Sequence, residues 1–182
     1  MGKIVVTQFV SIDGVIEDPG GSESWDRGGW AFEYERGPEG DKFKLDEVMG
    51  ADALLLGRVT YEGFAEAWPS REGEFADKFN NMPKYVVSTT LTDPEWNNTH
   101  VIGVDDVAGL DGQILVNGSV KLVNALLDAG LVDELRLMLF PLVLGKGKRL
   151  FADGIGKAPL ALSDLRPVGD DGVSVAVYFP KK

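Results

Sequence analysis

The chain has 182 residues, enough to bury a full core as a single domain over 1–182, and its 44% hydrophobic and 26% charged residues argue against disorder. Lys and Arg number 18 against 29 Asp and Glu, a formal net charge of −11, and so acidic a surface repels nucleic acid and anionic membranes. The absence of Cys excludes disulfides, thiolate metal sites and a Cys nucleophile.

The opening residues MGKIVVTQFV run into a strand pattern rather than a secretory leader, and no apolar run reaches membrane-spanning length. A soluble cytoplasmic protein is therefore expected. Lys3 to Val10 reads as a central strand entering a loop at Ser11-Ile12-Asp13-Gly14. Turn chemistry at Asp18-Pro19-Gly20-Gly21-Ser22 and Gly28-Gly29 extends that loop. It carries Trp25, Trp30, Phe32 and Tyr34, an aromatic load that suits either a lid over a ligand or a cover for the core edge.

A helix is expected over about 40–49 with Phe43, Leu45, Val48 and Met49 inward, then an all-apolar strand, Ala53 to Leu56, of the kind buried on both faces. Gly57-Arg58-Val59-Thr60 opens a second helix carrying Tyr61, Phe64 and Ala65, and a third runs from about Glu72 to Asn80. Strands at Tyr85–Val87 and His100–Ile102 lead to a short crossover over 105–113. Ile114 begins another strand, which turns at Asn117-Gly118-Ser119 into an amphipathic helix. Asp133–Phe140 is the next strand, and a Gly/Lys loop follows Pro141. Segments 158–166 and 173–179 flank Gly169-Asp170-Asp171-Gly172, a hairpin signal. Strands alternating with helices imply an α/β fold with a mostly parallel sheet.

In such sheets ligands sit outside the carboxyl ends of the strands. Three strand ends carry phosphate-friendly groups: Gly57-Arg58-Val59-Thr60, Ser88-Thr89-Thr90 and Asn117-Gly118-Ser119. Arg58 offers a planar fork for phosphate, Thr60 and Ser88 offer hydroxyls, and the turn at Gly118 offers backbone N–H groups at a helix N-terminus. Each alone fits an ordinary strand-turn-helix junction with Ser119 as N-cap or Arg58 as a surface charge. Their recurrence suits a ligand with separated phosphates, such as a dinucleotide, although the GxGxxG fingerprint is absent.

These blocks, together with Gly130-Leu131-Val132-Asp133-Glu134-Leu135, Pro141 and Leu144-Gly145-Lys146-Gly147-Lys148-Arg149-Leu150-Phe151, give the chain its resemblance to a known family. It resembles the dihydrofolate reductase-like superfamily, and within it the reductase domain of bacterial riboflavin biosynthesis. The resemblance implies a three-layer α/β fold: a central, mostly parallel sheet of about eight strands, helices on both faces and an antiparallel C-terminal hairpin. It also implies NADPH lying across the strand ends. Arg58 and Thr60 match the positions for the adenosine 2′-phosphate, Ser88 and Thr89 those beside the adenosine, and Gly118, Ser119 and Val120 the pyrophosphate turn. The candidate cofactor set is thus Gly57, Arg58, Thr60, Ser88, Thr89, Asn117, Gly118, Ser119 and Val120.

The implied activity is NADPH-dependent hydride transfer to a small heterocyclic or carbonyl substrate, with ribosylaminopyrimidine reduction as one option. A non-catalytic nucleotide- or ligand-binding module is the alternative. Asp13 is the first candidate to deliver a proton, against a role capping the turn with Gly14; Glu33 and Asp26 are reserves. Two departures bear on the substrate: riboflavin-pathway reductases usually have Glu at the position of Asn117, and an Asp near Phe64. No metal is expected, because His100 stands alone and Asp105-Asp106 reads as a helix start. Lys146, Lys148 and Arg149 suit a solvated loop better than a phosphate site. Leu135, Leu137, Leu139 and Pro141-Leu142-Val143-Leu144 suggest a homodimer interface, since related reductases commonly pair here, or else belong to the core.

Overall fold

The structure, a computed structural model, describes residues 2–181. One eight-stranded sheet organises the chain: β1 (Lys3–Ser11), β2 (Ala53–Gly57), β3 (Lys84–Val87), β4 (Thr99–Ile102), β5 (Gln113–Gly118), β6 (Glu134–Phe140), β7 (Leu160–Pro167) and β8 (Ser174–Pro180). Their spatial order is β4-β3-β2-β5-β1-β6-β8-β7. The first six are parallel, whereas β8 runs antiparallel to both β6 and β7. This is the mixed sheet with a C-terminal hairpin that the alternation of elements implied.

Helices cover both faces. α4 (Val120–Asp128) packs Leu122, Val123 and Leu126 against Ile4, Val6, Leu55, Ile114 and Val116 on one side. On the other, α2 (Arg58–Ala67) and α3 (Glu74–Asn81) enclose Val5, Leu54, Leu56 and Leu115 with Tyr61, Phe79 and Trp96. Leu54, Leu55 and Leu56 are all fully buried, as an apolar run between two helical layers requires. Each contributes about 1.5–3 kcal/mol.

α1 (Gly37–Met49) begins a turn earlier than the periodicity suggests, with Pro38 in its first turn, where a missing N–H costs nothing. Its inward face also differs. Val48 is buried as expected, but Met49 is exposed and Glu47 is buried as well. Thr7 Oγ1 donates to the Glu47 carboxylate (2.9 Å), Lys44 Nζ donates to both, and Arg136 lies 3.8 Å away. These charge-assisted contacts let a carboxylate displace a methionine from the interior.

The long loop divides between the two roles open to it. Trp30 is buried, donates Nε1–H to the Glu17 carbonyl (2.9 Å) and meets Phe140 edge-on, as does Tyr34. These two rings cover the core edge with Met138, Val173 and Val175, whereas Phe32 is exposed. The crossover over 105–113 is a single short 3-10 segment, Val104–Gly109. Leu135, Leu137 and Leu144 are buried in the core and Leu139 and Leu142 are half-buried, which leaves Pro141 and Val143 as the exposed members of the expected interface. The reason is that β6 lies between β1 and β8 and is covered on both faces.

Candidate functional site

The site is built where β2 and β5, adjacent in the sheet, each turn into a helix. Gly57 ends β2 and Arg58 begins α2; Gly118 ends β5, and Ser119 caps α4 by accepting from the Leu122 N–H (3.4 Å). A Cβ on Gly57 would lie 2.1 Å from Ser119 Oγ, and one on Gly118 would lie 2.6 Å from Thr60 Oγ1. Gly118 also has φ +137°, a conformation L side chains resist. Only glycine at both positions allows each turn to pack against the hydroxyl residue of the other. Two helix N-termini, with their unpaired N–H groups and partial positive charge, therefore open side by side.

They open onto a cleft of about 650 Å³. Thr60, Asn117, Gly118, Ser119 and Val120 line it, with Gln8 of β1 and Val59 and Phe64 of α2. The opposite side is the loop after β1, from Ile16 to Gly20 with Ser22 and Glu23, joined by Lys148. That loop is tied to the segment after β6: Ile12 N–H donates to Leu142 O (2.9 Å), Ile16 N–H to Lys148 O (2.9 Å) and Leu150 N–H to Gly14 O (2.9 Å). Asp18, buried and at φ +44°, accepts from the N–H groups of Glu23 (3.0 Å) and Trp25 (3.3 Å) and so shapes the loop over the cleft.

The expected site residues separate into those within the cleft and those beside it. Thr60, Asn117, Gly118, Ser119 and Val120 come together, and Gly57 supports Ser119 from behind. Arg58, Ser88 and Thr89 lie outside the lining. Arg58 binds Glu62 (2.7 Å) and Thr90 Oγ1 (2.5 Å), Ser88 Oγ accepts from the N–H groups of Thr90 and Leu91, and Thr89 is exposed. Ser88 and Thr89 follow β3, the neighbour of β2, while Arg58 opens α2 and reaches that strand end through Thr90.

Asp13 is held at the junction of two loops. Its carboxylate accepts from Ser11 Oγ (2.7 Å) and from the N–H groups of Leu144 (3.1 Å) and Gly145 (2.8 Å), and it lies outside the cleft lining. Desolvation raises its pKa, but those hydrogen bonds outweigh it and hold the group at about 2. An ionised carboxylate that clasps two loops is an anchor, closer to the turn-capping alternative. Of the reserves, Asp26 pairs with Lys146 (2.6 Å), which lowers its pKa, and Glu33 is absent from the lining.

The residues that motif reading passed over are Gln8, Glu23 and Lys148. Gln8 had one visible signal, the only amide in a largely apolar central strand. The Glu23 carboxyl makes no hydrogen bond among the described residues, and its position at the rim of the cleft gives it a raised pKa. Partial desolvation is the main cause and nearby Asp18 and Glu17 add to it, against the opposing charge of Lys148. Among the described residues no group of acidic or His side chains could hold a metal, and no helix is long and apolar enough to cross a membrane.

A central mixed sheet with a cleft over the carboxyl ends of β1, β2 and β5 defines the dihydrofolate reductase-like fold. Dihydrofolate reductase from Enterococcus faecalis, solved in complex with NADP(H) and RAB-propyl, superposes with a TM-score of 0.59 at 14% identity, over 100% of this chain and 98% of that one. Residues 2–173 match the family model of the RibD C-terminal domain, and the chain belongs to that family. A putative riboflavin biosynthesis protein from Shewanella sp. PV-4 shares the fold with a TM-score of 0.79, 22% identity and 99% coverage of both chains. The uncharacterized protein YyaP of Bacillus subtilis (strain 168) is 25% identical over 190 residues, 97% of this chain and 95% of that protein.

Proposed function

We propose that the chain is an NADPH-dependent reductase acting on a small heterocyclic or carbonyl substrate. The observation that carries this reading is the pair of glycine-permitted turns that aim two helix N-termini, with the Thr60 and Ser119 hydroxyls, at one cleft. In a protein of formal charge −11, such a local concentration of N–H donors suits a pyrophosphate. Gly118, Ser119 and Val120 would hold it, and Thr60 and Arg58 would meet a 2′-phosphate at the β2 end. Ser88 and Thr89 would flank the adenosine. When bound, NADPH supplies the hydride.

The chain's own tasks are then to exclude water, orient the substrate and deliver a proton. The loop over 16–23 closes one side of the cleft, and Ile16, Val59 and Phe64 present it with apolar surface. Glu23 is our assignment for the proton source. It is a carboxyl in the cleft with a raised pKa, and a general acid works best when its pKa lies near the working pH. A homodimer belongs to the same reading. With Leu135 and Leu137 in the core, its surface would be drawn from exposed Ile12 and Val143, or from Leu162 and Leu165 on β7.

The test combines NADPH titration by nicotinamide fluorescence with NADPH oxidation on ribosylaminopyrimidine and simple carbonyl substrates. Binding with turnover is expected, and Glu23→Gln should lower turnover while sparing NADPH affinity. Binding without turnover on any substrate would favour a non-catalytic module. No binding would overturn the reading.

A further inference from the structure

The loop after β1 is tied to the segment after β6 by backbone and side-chain bonds, but its tip, 18–29, is organised around one side chain of its own. Asp18 is 3% exposed and lines the cleft. Its carboxylate accepts from the N–H groups of Glu23 (3.0 Å) and Trp25 (3.3 Å), and its carbonyl accepts from those of Gly21 (3.2 Å) and Gly29 (2.9 Å). A Cβ on Gly28 would lie 2.1 Å from Asp18 Oδ2, so the returning chain closes over the carboxylate with no room for a side chain. Asp18 (φ +44°) and Ser24 (φ +58°) are both left-handed, and they stand on either side of Glu23 in the chain. Non-glycine residues resist that conformation, which persists where the surroundings over-determine it and concentrates at functional sites.

A buried carboxylate without a cation is costly. Asp18 forms no ion pair among the described residues; neutral N–H groups hold its charge, which therefore acts on its neighbours. The charged groups facing Glu23 are Asp18 and Glu17 on its own loop and Lys148 on the segment after β6, whose ammonium lies 3.4 Å from Glu17. Around the rest of the cleft, β1, α2 and β5 contribute no acidic or basic side chain to the lining, and α4 contributes Lys121. We propose that Asp18 is a positioning residue for Glu23: it fixes the backbone that carries Glu23 at the cleft and supplies a negative charge that favours the protonated carboxyl. The proposal rests on the assignment of Glu23 as proton source. Desolvation is the main cause of the raised pKa of Glu23, and Asp18 and Glu17 add to it against Lys148.

Two substitutions separate charge from geometry. Asp18→Asn removes the charge, keeps an acceptor for the Glu23 N–H and tolerates a left-handed backbone. Gly28→Ala keeps the charge and pushes the carboxylate off its N–H partners. The Glu23 carboxyl of the full-length protein is titrated by carbon NMR without ligand, while the Glu23 and Trp25 amide resonances report the loop; NADPH oxidation is then followed against pH. In Asp18→Asn the Glu23 midpoint should fall with both amide resonances retained. Turnover at neutral pH should fall about two- to threefold, the loss expected from one screened charge, as the alkaline limb of the profile moves down. NADPH affinity should be retained. Gly28→Ala should displace both amide resonances and lower turnover across the whole profile. An unchanged or raised Glu23 midpoint in folded Asp18→Asn would overturn the proposal and leave Asp18 a structural residue. Should Asp18→Asn fail to fold, Gly28→Ala decides, and unmoved Glu23 and Trp25 resonances in it would overturn the proposal equally. Undiminished turnover in Glu23→Gln overturns the assignment of Glu23 alone, because the titration is read without substrate or cofactor.

Discussion

Thr7 and Gln8 are consecutive on β1, both are buried, and alternation sends them to opposite faces of the sheet. On the Thr7 face the hydroxyl is bonded to Glu47 and Lys44, and Arg136 in turn binds Glu134 (2.6 Å). On the Gln8 face Nε2 is bonded to nothing, and about 650 Å³ of cleft adjoins it. Lys84 belongs with the first kind. Burial lowers its pKa to about 8, while three carbonyls at 2.8–2.9 Å and the face of Trp96 (4.4 Å) favour the charged ammonium. Polar groups that the chain satisfies itself serve the fold; the Gln8 amide, whose nitrogen has no partner among the described residues, lines the cleft instead.

The sharpest way to break this contrast is at Glu47. Glu47→Ala would strand Lys44 and the Thr7 hydroxyl in a nearly dry site, and the loss of a buried ionic partner should cost about 3–5 kcal/mol in urea unfolding. NADPH binding by the folded fraction should be unaffected; a matching loss of affinity would join the two faces into one functional unit. Gly118→Val acts from the other side. Positive φ and the approach to Thr60 should cost about 1–3 kcal/mol of strain, and binding should vanish while circular dichroism reports a folded protein.

Arg58→Ala tests how far the site extends beyond the cleft lining. Because the guanidinium is partly exposed and already paired with Glu62, the expected loss for NADPH is about 1–2 kcal/mol, with little change for NADH, in parallel fluorescence titrations. Equal losses for both cofactors would remove Arg58 from the phosphate site.

The smallest effect is at Asp13. Its folded pKa is depressed from 3.8 to about 2, so its contribution to stability is complete above the ordinary value and is lost as pH falls through the folded one. Asp13→Asn should therefore be less stable than wild type at neutral pH, by under about 1 kcal/mol after solvent screening. The gap should close between pH 4 and 2 in denaturant titrations. A gap that widens on acidification would mean that Asp13 carries a proton in the folded protein, and would restore it as an acid.

The alternation of apolar strands and amphipathic helices, and the Gly-containing turns after β2 and β5, are local patterns. Hydrophobic periodicity and turn chemistry sufficed to place all eight strands within a residue or two and to mark Thr60, Asn117, Gly118 and Ser119, with Val120 added by the family resemblance. What sequence could not decide was which groups of similar chemistry share one space. Ser88 and Thr89 end a strand just as Asn117 and Gly118 do, yet β3 lies beyond β2, and Ser88 spends its oxygen on its own turn. Asp13 and Glu23 are both loop carboxyls. Asp13 is clasped by backbone N–H groups 131 and 132 residues away, while Glu23 faces the cleft, so their proton affinities diverge. Glu47 could not be told from a surface glutamate until Thr7 and Lys44 were brought to it, and Gln8 could not be told from a core residue until β5 and the loop over 16–23 enclosed it. Those outcomes depend on long-range contacts, whose electrostatics and desolvation are set only once the sheet is assembled.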